Sequence, residues 1–338
     1  MMKELVTSSK APEPQIDLRT GEPYAKLIRS HAQFASVVGD YFSVDAENVI
    51  PTAGASGAIE TVRNHAFRLA LKANPVLLTV TPGYWRARES FQGFGFQVAT
   101  VETAADGFDI NESTLIKKAA EIEPDIVYLS LPNNPTGAVF DPEKILNGLP
   151  ATMPIIFDLT LPSRQLNTRE LAGHLYRGYR GRRNLFLVGS TSKSHNTAEY
   201  RIGWTVCASS EDAAQLRQEN RNVVSSLSVE KASGELVKEP PVHDLIERSF
   251  QLLKRVEGGY GFKLVEPARR AQSSYVLVEF LGDAETLRSG LRQHGISVMW
   301  GPEFGLTDRY FRLEVSEPEN VRVFIDALRA DREKRQSA

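Results

Sequence analysis

The residues best equipped for chemistry lie between positions 190 and 204: Ser190-Thr191-Ser192-Lys193, then Ser194-His195-Asn196-Thr197-Ala198-Glu199-Tyr200, then Arg201-Ile202-Gly203-Trp204. They follow the apolar run Leu185-Phe186-Leu187-Val188, which reads as a buried strand too short for a helix. A lysine in a Ser/Thr-rich turn at a strand end can lie in a cleft, where desolvation favours the neutral, nucleophilic amine. Arg201 supplies a permanent cation suited to a phosphate. By itself the stretch also reads as a surface loop, so its meaning depends on what the rest of the chain brings to it.

Composition narrows the field. The chain has 338 residues, long enough for a large core and for more than one domain. Its hydrophobic content of 41% and charged content of 24% are those of an ordinary globular protein. A formal net charge of −2 gives no electrostatic reason to expect nucleic acid or an anionic membrane as partner. Cys207 is the only cysteine, which excludes an internal disulfide and a cysteine-based metal cluster and points to a reducing compartment. The six histidines are scattered without ligand spacing, so no metal is expected. The opening MMKELVTSSKAPEPQ has no apolar core of a secretory signal, and no run approaches the ~18 apolar residues of a membrane span. A cytoplasmic location is expected.

The elements that must position these residues can be read in order. A polar, proline-containing arm runs to Pro14, and residues 16–24 read as extended. Helical patterning covers Ala25–Phe42. Small residues around Ala53-Gly54-Ala55-Ser56 then precede a helix that runs to about Ala73. Such a turn presents free N–H groups and the positive end of a helix dipole, which suits a phosphate, though a plain cap has the same composition. Strands are expected at 76–80, 96–101, 125–131, 154–158, 185–189 and 203–208, with helices to Phe91, over 115–122 and over 142–149. Apolar strands alternating with helices indicate an α/β fold with a mostly parallel sheet covered on both faces. Ligands in such folds gather at the carboxyl ends of strands. Tyr84, Asn134, Asp158 and Lys193 each follow or end an expected strand, so they should converge. Beyond about Ala232 the texture changes to an α+β unit with a helix over 243–257, strands at 275–280, 296–299 and 310–315, and helices over 284–293 and 319–332. The segment Ser225–Glu235 reads as a loop. The expected organisation is an arm with a small-domain contribution over 1–40, a large cofactor-binding domain over 41–235 and a small C-terminal domain over 236–338.

The ordered set Gly54-Ala55-Ser56, Tyr84, Asn134-Pro135-Thr136-Gly137, Asp158, Ser190-x-x-Lys193, Arg201 and Arg312 resembles the fold-type I pyridoxal-phosphate enzymes of the class I/II aminotransferase family. The resemblance spans nearly the whole chain. It implies pyridoxal phosphate as cofactor, with Lys193 forming a Schiff base to the cofactor aldehyde and moving the substrate proton. It implies that Asp158 pairs with the pyridine nitrogen and that Asn134 donates to the ring hydroxyl oxygen. Tyr84 would lie on the ring face, with Trp85 beside it as the competing candidate. Ala55, Ser56, Ser190 and Arg201 would hold the phosphate, and Arg312 would grip the substrate α-carboxylate with a fork that lysine cannot offer. Ser192, His195 and Glu199 read as local turn and loop contacts, and Arg309 as surface. Tyr24 is a candidate for reaching a neighbouring subunit's phosphate, and a homodimer is expected.

Two departures from the family pattern bear on function. A tyrosine usually follows the ring-nitrogen aspartate by three positions, but here Asp158-Leu159-Thr160-Leu161 places leucine there. That keeps open a lyase, decarboxylase or amino-acid oxidase beside the first expectation, an aminotransferase acting between an amino acid and a 2-oxo acid. A non-enzymatic effector-sensing domain is the third reading, disfavoured because only a short polar arm precedes the fold. Relatives acting on phosphorylated substrates carry extra arginines, and Ile296-Ser297-Val298-Met299-Trp300 offers none. A non-phosphorylated substrate is therefore expected.

Overall fold

The structure is a computed structural model that describes residues 24–220 and 224–337, with side chains described over 30–220 and 224–333. Tyr24 opens a helix, but its side chain and the segment expected to be extended before it lie outside the described residues.

In chain order the elements are α1 (Tyr24–Phe42), β1 (Val49–Thr52), α2 (Gly54–Ala70), β2 (Val76–Thr81), α3 (Trp85–Gly93), β3 (Gln97–Glu102), α4 (Glu112–Ile122) and β4 (Ile126–Ser130). They continue as α5 (Pro142–Gly148), β5 (Ile155–Asp158), α6 (Thr168–Gly178), β6 (Leu185–Ser190), α7 (Thr191–Ser194), β7 (Gly203–Cys207), α8 (Ser210–Glu219) and α9 (Ser226–Leu236). The last part holds α10 (Val242–Val256), β8 (Phe262–Leu264), β9 (Tyr275–Phe280), α11 (Ala284–Gln293), β10 (Met299–Trp300), β11 (Tyr310–Glu314) and α12 (Pro318–Ser337). Among the described residues no helix is long and apolar enough to cross a membrane.

The first sheet has seven strands in the order β1-β7-β6-β5-β4-β2-β3. All neighbours from β6 to β3 pair in parallel, and β7 alone runs against the rest, between β6 and β1. Its strands β1, β4, β5, β6 and β7 are buried throughout, which is why they read as continuous apolar runs rather than alternating ones. One face carries the core of Phe34, Val38, Leu129, Phe157, Leu187 and their neighbours, the other that of Ile59, Val62, Phe91, Ile156 and Phe186. The second sheet is antiparallel in the order β10-β11-β9-β8, with its own core around Phe250, Phe262, Phe311 and Phe324.

Several expectations need correction. Ser225–Glu235 is no loop: it is helix α9, capped by the Ser225 hydroxyl accepting from Ser228 N, and its Val229, Ala232 and Leu236 join the core that α1 also enters. The strand expected at 296–299 pairs only at Met299 and Trp300. Ile296 and Val298 pack against the small core without ladder bonds, so their alternation reports burial and not pairing. Helices α6 and α8 and the short strand β8 lack any sequence expectation.

Because β7 is reversed, its first residue, Gly203, lies at the same edge as the last residues of β6 and β1. Glycines let these ends close on one another. A Cβ on Gly203 would stand 2.5 Å from Gly54 C, 2.6 Å from Gly189 O and 2.8 Å from Ala55 N. Gly54 itself has φ of +72°, the left-handed region that glycine enters freely. A second constraint ties the sheet edge to the C-terminal part. Buried Glu112 accepts from Asp141 N (2.8 Å) and Arg269 Nη1 (2.5 Å) through one oxygen, with Lys144 Nζ 3.6 Å from the other. Burial pushes this carboxyl up, but the Arg269 and Asp141 hydrogen bonds outweigh it and bring it from 4.5 to about 2.

Two outcomes follow from these contacts. Gly203→Ala should cost about 1–3 kcal/mol in chemical denaturation, the usual penalty for overpacking, because backbone rather than flexible side chain must move. Glu112→Gln should also destabilise at neutral pH, by about 1–3 kcal/mol. A carboxyl depressed by folding stabilises above its unfolded value and loses that contribution as pH falls towards its folded one. The gap between Glu112→Gln and wild type should therefore narrow below about pH 4.5; a constant gap down to about pH 3 would assign the effect to packing instead.

Candidate active site

The carboxyl ends of β2, β4, β5 and β6, the ends of β1 and β7, and the face of the small sheet enclose a cavity of about 330 Å³. Ala55, Ser56, Tyr84, Asn134, Asp158, Ser190, Lys193, Arg201 and Arg312 all line it. Trp85, Arg86, Ser130, Leu161, Tyr275 and Met299 share the wall.

At the cavity floor Asp158 ends β5 and is buried. Its Oδ1 accepts from Thr160 N (3.0 Å) and its Oδ2 from the hydroxyl of Tyr128 (2.7 Å). Burial raises the Asp158 carboxyl above its usual range, and the Thr160 and Tyr128 hydrogen bonds act against that rise. Tyr128 is itself buried, and burial together with the neighbouring Asp158 holds its phenol well above its usual value, so it stays a donor. Nothing in the run Ile126-Val127-Tyr128-Leu129 distinguishes this tyrosine from ordinary core. In the parallel pairing Tyr128 stands opposite Ile156, and Asp158 lies two positions on, on the same sheet face.

On one side, the first turn of α2 carries Ala55 and Ser56 immediately after Gly54. The Arg201 guanidinium lies over that turn, so close that a Cβ on Gly54 would come within 3.1 Å of Nη2. Arg201 holds φ of +49° and donates to Ala198 O at 3.3 Å. The Ser190 hydroxyl is buried and has no hydrogen-bond partner among the described residues. Lys193 sits in the one-turn helix α7 that begins right after β6. His195, two residues on, is occupied locally, its Nδ1 2.8 Å from Ser194 Oγ and its Nε2 3.2 Å from Lys238 O. Glu199 is exposed, and Arg309 pairs with Glu279 at 3.0 Å.

On the other side, Arg312 rises from β11. Its Nη1 donates to Asn134 Oδ1 at 3.2 Å, and its guanidinium carbon lies 4.0 Å from the ring centre of Tyr275. The same ring faces Lys193 Nζ at 5.1 Å. Burial pulls the Arg312 guanidinium down from its usual value, and Tyr275 acts against this. Tyr275 escapes sequence reading because it is simply the first residue of an apolar strand. The Asn134 amide oxygen is taken by Arg312, which leaves its NH₂ group to point elsewhere. Tyr84 packs against the core that includes Phe91 and Ile156, and Trp85 against the separate cluster of Leu277 and Phe304. Burial and the Asp158 charge raise the Tyr84 phenol, with Arg86 and Ser56 opposing.

The group implied by the resemblance, a pyridine ring carrying a phosphate, fits this set on three counts. Asp158 is a buried acid met by neutral donors, which a pyridinium N–H would complete. The α2 N-terminal turn, Arg201 and the unpartnered Ser190 hydroxyl make a cradle for an anion. Lys193 lies on the same cavity wall.

Comparison with known proteins agrees. The profile of the family described as aminotransferase class I and II matches residues 13–328. A histidinol-phosphate aminotransferase of Ruminiclostridium cellulolyticum is 23% identical over 304 residues, covering 88% of this chain and 81% of that one. The crystal structure of histidinol-phosphate aminotransferase from Clostridium acetobutylicum superposes with a TM-score of 0.74 at 17% identity, covering 89% of each chain. That of the Sinorhizobium meliloti enzyme, in complex with pyridoxal-5'-phosphate, gives 0.71 at 19% identity over 89% of this chain and 82% of that one. The chain thus belongs to the class I and II aminotransferase family and is a pyridoxal-phosphate-dependent aminotransferase.

Proposed function

We propose that this aminotransferase moves an α-amino group between a non-phosphorylated amino acid and a 2-oxo acid. The observation that carries this reading is the pairing across β10 and β11, where Met299 stands opposite Arg312 and lines the cavity beside it. A carboxylate needs one fork, which Arg312 supplies in two parallel hydrogen bonds. A phosphate dianion at the same place would meet a thioether, and the rest of segment 296–300 carries no cation.

Each residue then has a task. Ala55 and Ser56 through their N–H groups, with the hydroxyls of Ser56 and Ser190 and the guanidinium of Arg201, hold the cofactor phosphate. Asp158 holds the ring nitrogen, and the Asn134 NH₂ donates to the ring hydroxyl oxygen. Tyr84 covers a ring face. When bound, pyridoxal phosphate supplies an electron sink for the pair released as the substrate α-C–H bond breaks. Lys193 Nζ anchors the cofactor covalently and, as a free amine, takes up the substrate α-proton and returns it. Arg312 fixes the α-carboxylate, with Asn134 and Tyr275 holding the guanidinium in place. Leu161 lines the cavity as an apolar wall and brings no donor.

A phosphorylated amino substrate is the second reading. It is favoured by the names of the relatives and by Arg86, which lies over Trp85 (5.0 Å) and also lines the cavity. For the assembly, the reading is a homodimer in the cytoplasm, with a cofactor-binding unit over 41–235, a smaller unit over 236–338 and an arm over 1–40. The family resemblance supports the dimer, and a lone buried thiol, Cys207, suits a reducing compartment.

The test is product analysis by mass spectrometry after incubating the cofactor-loaded protein with pooled amino acids and, separately, histidinol phosphate, each with and without 2-oxoglutarate. The reading expects a 2-oxo acid formed from a non-phosphorylated amino acid only when the acceptor is present. Turnover of histidinol phosphate alone would establish the second reading, and carbon dioxide or ammonia released without acceptor would establish lyase, decarboxylase or oxidase chemistry. On the preferred substrate, Arg312→Lys should lower kcat/KM about 10- to 100-fold, the value of about 1.5–3 kcal/mol for a charge-assisted hydrogen bond.

A further inference from the structure

Tyr128 does not line the cavity, yet its hydroxyl is committed to the acid at the cavity floor. We propose that Tyr128 is a positioning residue whose phenol, donating to Asp158 Oδ2, keeps the proton shared by Asp158 and the cofactor ring on the ring nitrogen.

The geometry supports this in three ways. The bond is 2.7 Å, and Tyr128 and Asp158 are 1% and 6% exposed, so water does not compete for either group. The Tyr128 ring is fixed in the core of Ile126, Ile156 and Phe186, which leaves its hydroxyl one direction to point. The second carboxylate oxygen is occupied by Thr160 N, so both acceptors of Asp158 are held from the protein side.

The chemistry follows from the basicity of that carboxylate. A single proton between a carboxylate and a pyridine can rest on oxygen or on nitrogen. In a dry site burial favours the neutral pair, with the proton on oxygen. Donors to the carboxylate stabilise its ionised form and shift the balance towards the charged pair. Only the protonated ring withdraws electrons strongly enough to serve transamination. Two donors therefore offset the desolvation that the same burial imposes. Thr160 N is backbone and invariant to side-chain change, which leaves Tyr128 as the adjustable one. No net proton is gained or lost between the two arrangements, so the effect concerns where the proton sits.

The test is nitrogen NMR of the protein loaded with isotope-labelled pyridoxal phosphate. Wild type should show the ring nitrogen in the pyridinium range, and Tyr128→Phe, which keeps the packed ring, should move it towards neutral pyridine. Affinity for pyridoxal phosphate should fall about tenfold, the effect of one hydrogen bond to a charged acceptor. Affinity for the analogue with carbon in place of the ring nitrogen should be unchanged. An unmoved nitrogen signal in the loaded variant, or equal weakening of cofactor and analogue, would overturn the proposal and leave Tyr128 a packing residue. Should Tyr128→Phe not fold, p-aminophenylalanine at position 128, an isosteric but weaker donor, reads the same quantity, and an unmoved signal there overturns the proposal equally.

Discussion

The site depends on an acid buried at the end of β5. Asp158 is met by one phenol and one backbone N–H, neither of which is a cation. Left alone, a buried carboxylate of this kind is costly, and burial accordingly raises its proton affinity. On the proposed reading a cationic ring completes the pair, and the cofactor then removes a cost that the apoprotein carries. Binding linked to folding in this way stabilises the native state by an amount that grows with the logarithm of cofactor concentration once that exceeds Kd.

The rest of the architecture can be understood as what brings other groups to that acid. The parallel strands β2, β4, β5 and β6 end at one edge, and the single reversed strand β7 returns Arg201 and Gly203 to the same edge. The missing side chain at Gly203 lets three strand ends approach one another, that at Gly189 leaves room for the Trp204 indole, and that at Gly54 leaves room for the Arg201 guanidinium over the α2 N-terminus. The small sheet contributes from the other side, with Tyr275 and Arg312 adjacent on β9 and β11. Asn134 links the halves, since it follows β4 and accepts from Arg312. One connected set of side chains thus lines the cavity from both sides, and on the proposed reading it addresses a substrate carboxylate and a cofactor ring together.

Much of this was legible in the sequence, for physical reasons. Strands buried on both faces are continuous apolar runs, so Leu185–Val188 and Ile155–Phe157 could be placed without knowledge of their neighbours. The residues that follow such strands must lie at one edge, and Tyr84, Asn134, Asp158 and Lys193 do share one cavity. What escaped was of two kinds. Helices α6 and α8 carry many charges on short segments, although Asn167, which caps α6 by accepting from Glu170 N, is a signal that could have found it. Tyr128 and Tyr275 escaped because their roles rest on contacts with distant segments, and an aromatic in an apolar strand looks the same whether its hydroxyl or face is used or not. The alternation at 296–299 misled because hydrophobic period records which side is buried, not which backbone is paired.

Anchoring of the cofactor at Lys193, in the cavity that Asp158 closes, is the proposal on which the other residue roles rest. The decisive experiment reduces the cofactor-loaded protein with borohydride, digests it and locates the modified peptide by mass spectrometry. The expected result is a single pyridoxyl-modified lysine, Lys193, and no covalent cofactor in Lys193→Ala, which should still bind pyridoxal phosphate reversibly. Stoichiometric modification of another lysine, with Lys193→Ala still labelled, would contradict it.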